Sequence, residues 1–455
     1  MNKYLHAPLA SKGLPRGIPY IIGNEAAERF SFYGMRTILV VFMTQYLIGA
    51  NGQVEAMAAD EAKGWYHLFV SAVYLTPLLG ALLSDSLLGK YRTIILLSVI
   101  YTLGHFALAL DDTRTGLAIG LGLIALGAGG IKPCVSAHVG DQFGATNSHL
   151  LPRVFGWFYF SINLGALVSS LLTPWLLATY GAAVAFAIPG LLMLVATLIF
   201  RAGRHKFVHI KPGGMHFIRE TFSKDGITAL AKLGILYVFV AMFWALFDQT
   251  GSAWILQAKA MDRNIFGIEL LPAQITAANP LLVMLLIPFF SYVVYPQIGK
   301  IIQLTPLRKI AIGMFITVLA FSIASLAQES IDHGNTPHIS WQLLAYLALT
   351  SAEVMISITC LEFSYTQAPA RMKSFIMAFF MMSIAAGNLF TSAVNFLIQS
   401  PDGSSKLAGA DYYWFFTLAM LATSVLFLLV VKFYRQKTYL HDEHRPDVAG
   451  PVVVE

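Results

Sequence analysis

Gly80-Ala81-Leu82-Leu83-Ser84-Asp85-Ser86-Leu87-Leu88-Gly89-Lys90-Tyr91-Arg92 joins two apolar runs, residues 65–88 and 91–110. Asp85, Lys90 and Arg92 are the only Asp, Glu, Lys or Arg residues between 65 and 110. A helix that crosses a bilayer needs about 20 mostly apolar residues, and each run meets that length. Working outward on the same criterion, further spans are predicted at 19–49, 115–140, 152–179 and 181–201. Beyond a polar stretch come 232–258, 271–297, 306–328, 339–366, 372–398 and 411–434. The expected organisation is therefore a six-helix bundle over 1–201, a cytoplasmic linker over 202–231, a second six-helix bundle over 232–435 and a tail over 436–455.

Composition agrees. Of 455 residues 57% are hydrophobic and 12% charged, about half the charge of a soluble domain, and the mean hydropathy is +0.66. The formal charge of +6 does not indicate a nucleic-acid binder, because the basic residues sit mostly in loops between apolar segments. With both termini inside, twenty-two of the thirty Lys and Arg fall on the cytoplasmic side and five on the other. Arg29, Arg36 and Lys132 fall within helices. This bias orients the chain by the positive-inside rule. The first seventeen residues are polar and show no signal-peptide core. Cys134 and Cys360 lie in apolar stretches and are expected to be buried packing residues, not a disulfide or metal site. No phosphate-binding Gly-x-x-x-x-Gly-Lys-Ser/Thr loop, nucleophile elbow or His-Glu-x-x-His motif occurs, and no cofactor is expected.

Charges inside spanning helices are costly and mark function by default. In the first span Glu25, Arg29, Phe32 and Arg36 share one stripe at 100° per residue, with Glu28 and Tyr33 beside it. Lys132 follows the small-residue run Gly116, Gly120, Gly122, Gly127, Gly129, Gly130. That run suits close helix packing, and Lys132, too deep to snorkel, calls for an internal anion. In the second half Asp248 lies one turn after Trp244. Glu353 is near the middle of the tenth span, and Glu362 is nine residues on, toward the cytoplasm and nearly on the opposite face. His67 sits near the start of the second span with Tyr74 two turns below it. A histidine near an acid suits proton relay, since its pKa lies near neutrality.

The quoted 80–92 loop resembles the acidic-glycine-basic signature of the major facilitator superfamily, an all-α membrane fold of twelve helices in two six-helix bundles. There Asp85 would cap a helix end or pair with a cytoplasmic Arg as a gate latch. Within that superfamily the chain resembles the proton-dependent oligopeptide transporters, bacterial type. Glu25-Ala26-Ala27-Glu28-Arg29-Phe30-Ser31-Phe32-Tyr33-Gly34 is similar to the family's Glu-x-x-Glu-Arg-Phe-x-Tyr-Tyr-Gly. Residues 155–167, beginning Phe155-Gly156-Trp157, resemble its second signature. Gly130-Ile131-Lys132-Pro133 fits its fourth-helix lysine, and Glu362-Phe363-Ser364-Tyr365 fits a tenth-helix element.

The resemblance implies that Glu25, Glu28 and Arg29 couple protons to substrate, together with His67 and Asp248 at a periplasmic gate. Lys132 is an alternate partner for Asp248. Arg29, Arg36, Lys132, Asn163 and Asn279 would meet the peptide carboxylate or backbone, and Glu353 its amine. Trp244 and Phe380 would line side-chain pockets, and Tyr33 and Tyr74 would offer hydroxyls. Glu362 would be a packing or gate residue. Phe32 departs from the motif by replacing its first Tyr, and the linker is too short for the two extra helices of many bacterial relatives. The expectation is a monomeric symporter of di- and tripeptides in an inner membrane, with protons, peptide and lipid as its partners. The cation cluster alone would also serve nitrate or another small anion or a peptide-like drug, and a non-transporting sensor keeping the fold is a further class. Glu353 favours a cargo that carries an amine.

Overall fold

The computed structural model describes residues 4–8, 11–49, 51–144, 146–212, 224–366, 373–400 and 404–433. The expected tail, residues 213–223 of the linker, and 367–372 lie outside the described residues. Among the described residues eleven segments are long and apolar enough to cross a membrane. The first helix, α1 (Ile18–Gln45), has 28 residues but is not among the eleven, since every 18-residue window within it keeps at least three of Glu25, Glu28, Arg29 and Arg36. Counting it gives twelve among the described residues.

By contacts the chain separates into two units, one of Met1–Phe217 with Leu270–Leu281, the other of Ile218–Glu269 with Leu282–Glu455. The first unit holds α1, α2 (Ala59–Leu82), α3 (Lys90–Leu110), α4 (Arg114–Asp141), α5 (Leu151–Tyr180) and α6 (Ala182–Ala202). A π-helical turn, Leu83–Leu88, extends α2. Helix α2 begins six residues earlier than the apolar run implied, because Asp60 and Lys63 neutralise each other at 2.7 Å inside it. Gly89, at φ +77 and ψ 155, turns the chain into α3 in a conformation almost confined to glycine. The segment 270–281 joins this unit through Gln274, whose Nε2 donates to Leu171 O at 2.8 Å. Thr276 and Thr37 hydroxyls also meet at 3.4 Å.

The small-residue run does pack closely. A Cβ on Gly80 would stand 2.6 Å from Gly130 Cα, and one on Gly104 would stand 2.9 Å from Gly120 O. Helices α2, α3 and α4 therefore approach at backbone distance, the packing that dispersion rewards in lipid.

The second unit contains α7 (Lys224–Phe247), the short α8 (Ala253–Ala258), all but the first four residues of α9 (Ala278–Phe289), α10 (Tyr295–Gly299), α11 (Pro306–Asp332), α12 (Ser340–Glu353), α13 (Thr359–Thr366), α14 (Lys373–Ile398) and α15 (Ala410–Phe433). A two-stranded hairpin, β1 (Asn264–Ile265) with β2 (Ile268–Glu269), lies between spans seven and eight. Phe290–Val294 is a π turn between α9 and α10, and Val354–Ile358 is another between α12 and α13. In the first unit α1 packs on α5, α3 on α4 and α3 on α6. In the second, α7 packs on α14, α11 on α12 and α11 on α15. Counted as spans, these are pairs 1–5, 3–4 and 3–6 against 7–11, 9–10 and 9–12, so each pairing recurs six helices on. The repeat that residue-by-residue similarity does not reveal is present in the packing.

Candidate functional site

Helix α1 carries the centre of the first unit's site. Glu25 and Glu28 are each 1% exposed. Arg29 Nε lies 2.7 Å from Glu25 Oε1 and 3.2 Å from Glu28 Oε2, so one guanidinium bridges both carboxylates. From α4, Lys132 brings its Nζ to 3.8 Å from Glu28 Oε1. The internal anion that Lys132 required is therefore Glu28. These four groups sum to zero charge in a place water barely reaches, the condition under which buried ions are tolerable.

Aromatic groups complete the surround. Lys132 Nζ stands 4.0 Å over the Phe32 ring and 5.9 Å over Tyr74. An ammonium is attracted to the negative face of such a ring, so Phe32, for all its missing hydroxyl, still steadies the lysine. Tyr101 of α3 donates from its hydroxyl to Glu28 O at 3.5 Å. Arg36, two turns from Arg29, donates from Nε to the Tyr66 hydroxyl at 2.5 Å. Tyr66 stacks edge-on against His67 at 5.0 Å. His67 is fully buried inside the bundle. Tyr33 is half-buried and packs edge-on to Phe32 at 5.5 Å.

Asn163 of α5 is buried and donates to Tyr159 O one turn back at 3.0 Å. Asn279 is half-buried within the 270–281 segment. Gly165 lets α5 approach α1 here, since a Cβ would stand 2.7 Å from Ala26 O. Asp85 accepts from the neighbouring Ser84 hydroxyl at 3.1 Å. In the same loop Lys90 pairs with Asp141, at the end of α4, at 2.7 Å.

In the second unit Asp248 opens a 3-10 turn that follows α7. It is 2% exposed and accepts from Asn388 Nδ2 of α14 at 2.6 Å. Trp244, one turn earlier, is buried between Phe243 and Phe247, with ring centroids 5.0 and 5.3 Å away. Its Nε1 has no hydrogen-bond partner among the described residues, an uncommon state for a buried donor. Phe380 is buried against Tyr237 at 5.7 Å, and the Tyr237 hydroxyl donates to Ser364 at 2.6 Å. Glu353 is half-buried at the last position of α12, immediately before the π turn. Because a π turn takes more residues than an α turn, the 100° count that set Glu362 opposite Glu353 does not apply across it. Glu362 is exposed.

Several contributors escaped sequence reasoning. Tyr66 and Tyr101 look like ordinary apolar-face aromatics, and only their hydroxyls' partners show otherwise. Asn24 is 1% exposed with neither amide atom hydrogen-bonded among the described residues. Its place beside Glu25 in the chain was the available signal. Asn388 and Asp248, 140 residues apart, offered none.

With this geometry in place the comparisons are direct. A family model described as PTR2, POT family, matches residues 91–224 and 215–415. Solute carrier family 15 member 2 of Homo sapiens is 37% identical over 374 residues, 71% of this chain and 50% of its own length. Peptide transporter family 1 of Drosophila melanogaster is 35% identical over 373 residues, 71% of this chain and 49% of its own. The chain spans about half the length of the curated relatives it matches. Among solved structures, that of the POT family transporter PepTSo aligns with TM-score 0.82 and 37% identity, covering 93% of this chain and 99% of that one. An auto-inhibited POT family peptide transporter aligns at 0.83 and 35%, covering 95% and 99%. A membrane protein with the major facilitator fold and a charge cluster on its first helix, the chain belongs to the POT family.

Proposed function

We propose that the protein is a proton-coupled symporter that imports di- and tripeptides across the cytoplasmic membrane by alternating access, with both termini inside. The reading rests chiefly on the buried set Glu25, Glu28, Arg29 and Lys132, which is neutral as it stands. A proton added to Glu28 leaves one surplus positive charge among Arg29 and Lys132. A peptide carboxylate cancels that surplus, so proton and carboxylate are each favoured by the presence of the other. Reciprocal binding of this kind is what coupling requires. Glu353 supplies the anion for the peptide's amine, Trp244 and Phe380 contribute apolar walls, and His67 and Asp248 belong to the gate. The peptide is carried without covalent change.

The named relatives support peptide as cargo, since a Drosophila member is called a peptide transporter. Proteoliposomes with an inward proton gradient should accumulate labelled dipeptide. Accumulation that survives a protonophore and depends on sodium refutes proton coupling, and uptake of nitrate in place of peptide refutes the cargo.

A further inference from the structure

At the opposite end of α4 from its Thr113 cap, the first unit holds a second cluster of bases, to which the proposed function assigns no role. Leu5 and Val208 pair in a short bridge, with His209 N donating to Leu5 O at 2.8 Å and His6 Nδ1 meeting His209 O at 3.1 Å. Tyr4 packs tilted against His209 and Tyr91 edge-on to it, at ring centroids of 4.5 and 4.9 Å. This N-terminal segment, the 87–92 loop and the chain after α6 enclose a cavity of about 250 Å³. None of its lining residues is acidic, while Lys90, Arg92, Lys211, His6, His138 and His209 all line it. Lys90 is paired with Asp141. Arg92 and Lys211 are exposed and have no ion-pair partner among the described residues.

Two independent features point to an anion. The cavity lies at the start of α3, where Lys90, Tyr91 and Arg92 are the first residues of a 21-residue helix. The first-turn N–H groups of a helix lack intrahelical partners and favour negative charge. From α4, His138 lines the same cavity at 1% exposure, and neither ring nitrogen has a hydrogen-bond partner among the described residues. Its ring packs on Phe207 at 5.2 Å, which holds it in place. A buried imidazole in that state wants an oxygen to bond.

We propose that this cavity binds a phosphate monoester group, with Arg92 and Lys211 supplying the opposing charge and His138 a ring hydrogen bond. A dianion with three terminal oxygens matches two unpaired cations and a fixed N–H. Bound phosphate would fasten the 87–92 loop to the 206–212 segment, both of which now meet at Gly89, whose Cβ would stand 3.4 Å from Ile210 O.

Free phosphate and a lipid headgroup share this chemistry, and calorimetric titration of the full chain in detergent separates the two. The titrants are inorganic phosphate, dioctanoyl phosphatidic acid and, as acyl-chain control, dioctanoyl phosphatidylcholine. Saturable binding of phosphatidic acid alone assigns a lipid source. Binding of inorganic phosphate that competes with phosphatidic acid assigns free phosphate. In either case Arg92→Gln with Lys211→Gln, both at exposed positions, should weaken binding at least ten-fold, and His138→Gln should weaken it several-fold. The proposal is overturned if neither phosphate ligand saturates, if phosphatidylcholine binds equally, or if the double variant binds as wild type does.

Discussion

Replacing Glu28 by Gln keeps the size and hydrogen-bonding capacity of the side chain and removes its charge. Glu28 stands 3.2 Å from Arg29 and 3.8 Å from Lys132. At an effective dielectric of about 20 these contacts contribute gross attractions of about 5 and 4 kcal/mol. Glu28's own desolvation is relieved, but Lys132 stays buried without its carboxylate, so the variant should lose about 3–5 kcal/mol of stability and still fold. The cluster, however, becomes permanently one charge positive, the state that protonation would otherwise create. Peptide should still bind, and binding should lose its dependence on pH. The driving force should vanish, because no proton is taken up or released with each peptide. For one proton per peptide, an inward gradient of two pH units supplies about 2.7 kcal/mol, enough for roughly hundred-fold accumulation by wild type. The variant should stop at equal concentrations while exchanging labelled for unlabelled peptide across the membrane. The assay is paired uptake and counterflow in the same proteoliposomes. Concentrative uptake by Glu28→Gln at the wild-type level would refute the charge argument.

Glu353→Gln should erase the preference for a dipeptide over its N-acetylated form, which in wild type should be at least ten-fold, about 1.4 kcal/mol; undiminished discrimination places the amine elsewhere. Lys63→Met alone should destabilise the protein by about 3–5 kcal/mol, since Asp60 at 2.7 Å is left charged and buried. Adding Asp60→Leu should recover most of that loss in thermal unfolding, and a purely additive double variant would show that the pair is not coupled. Gly80→Leu should force α2 from α4, because even a Cβ meets the Gly130 backbone; folded protein of wild-type stability would contradict the close approach.

Much of the architecture was open to reading because lipid imposes a simple rule on length and polarity. Helices α3 and α6 begin and end within a residue of the apolar runs that mark them. The rule fails where charge is compensated inside a helix, as at Asp60 and Lys63, since compensation depends on a partner's position and not on composition. It also misses the π turns, which are set by packing, so the α-period argument about Glu362 had no means of anticipating Val354–Ile358. In the site, the need of Lys132 for an anion followed from depth alone, and Glu28 supplies it. The hydroxyls of Tyr66 and Tyr101 could not be distinguished from core aromatics, because a tyrosine's role depends on what its oxygen faces. In the 80–92 loop the motif drew attention to Asp85, whereas Asp141, which pairs with Lys90 from the end of α4, lay outside the motif and had no signal of its own.

Phe32 has one more consequence. A ring face 4.0 Å from Lys132 Nζ holds the cation by its quadrupole but has no exchangeable proton. A hydroxyl at that point of the motif would be both donor and acceptor, able to pass a proton on or off the lysine. The phenyl group closes that step. On this side Lys132 meets only the electron-rich face of a hydrocarbon ring, which can steady its charge but cannot exchange a proton with it.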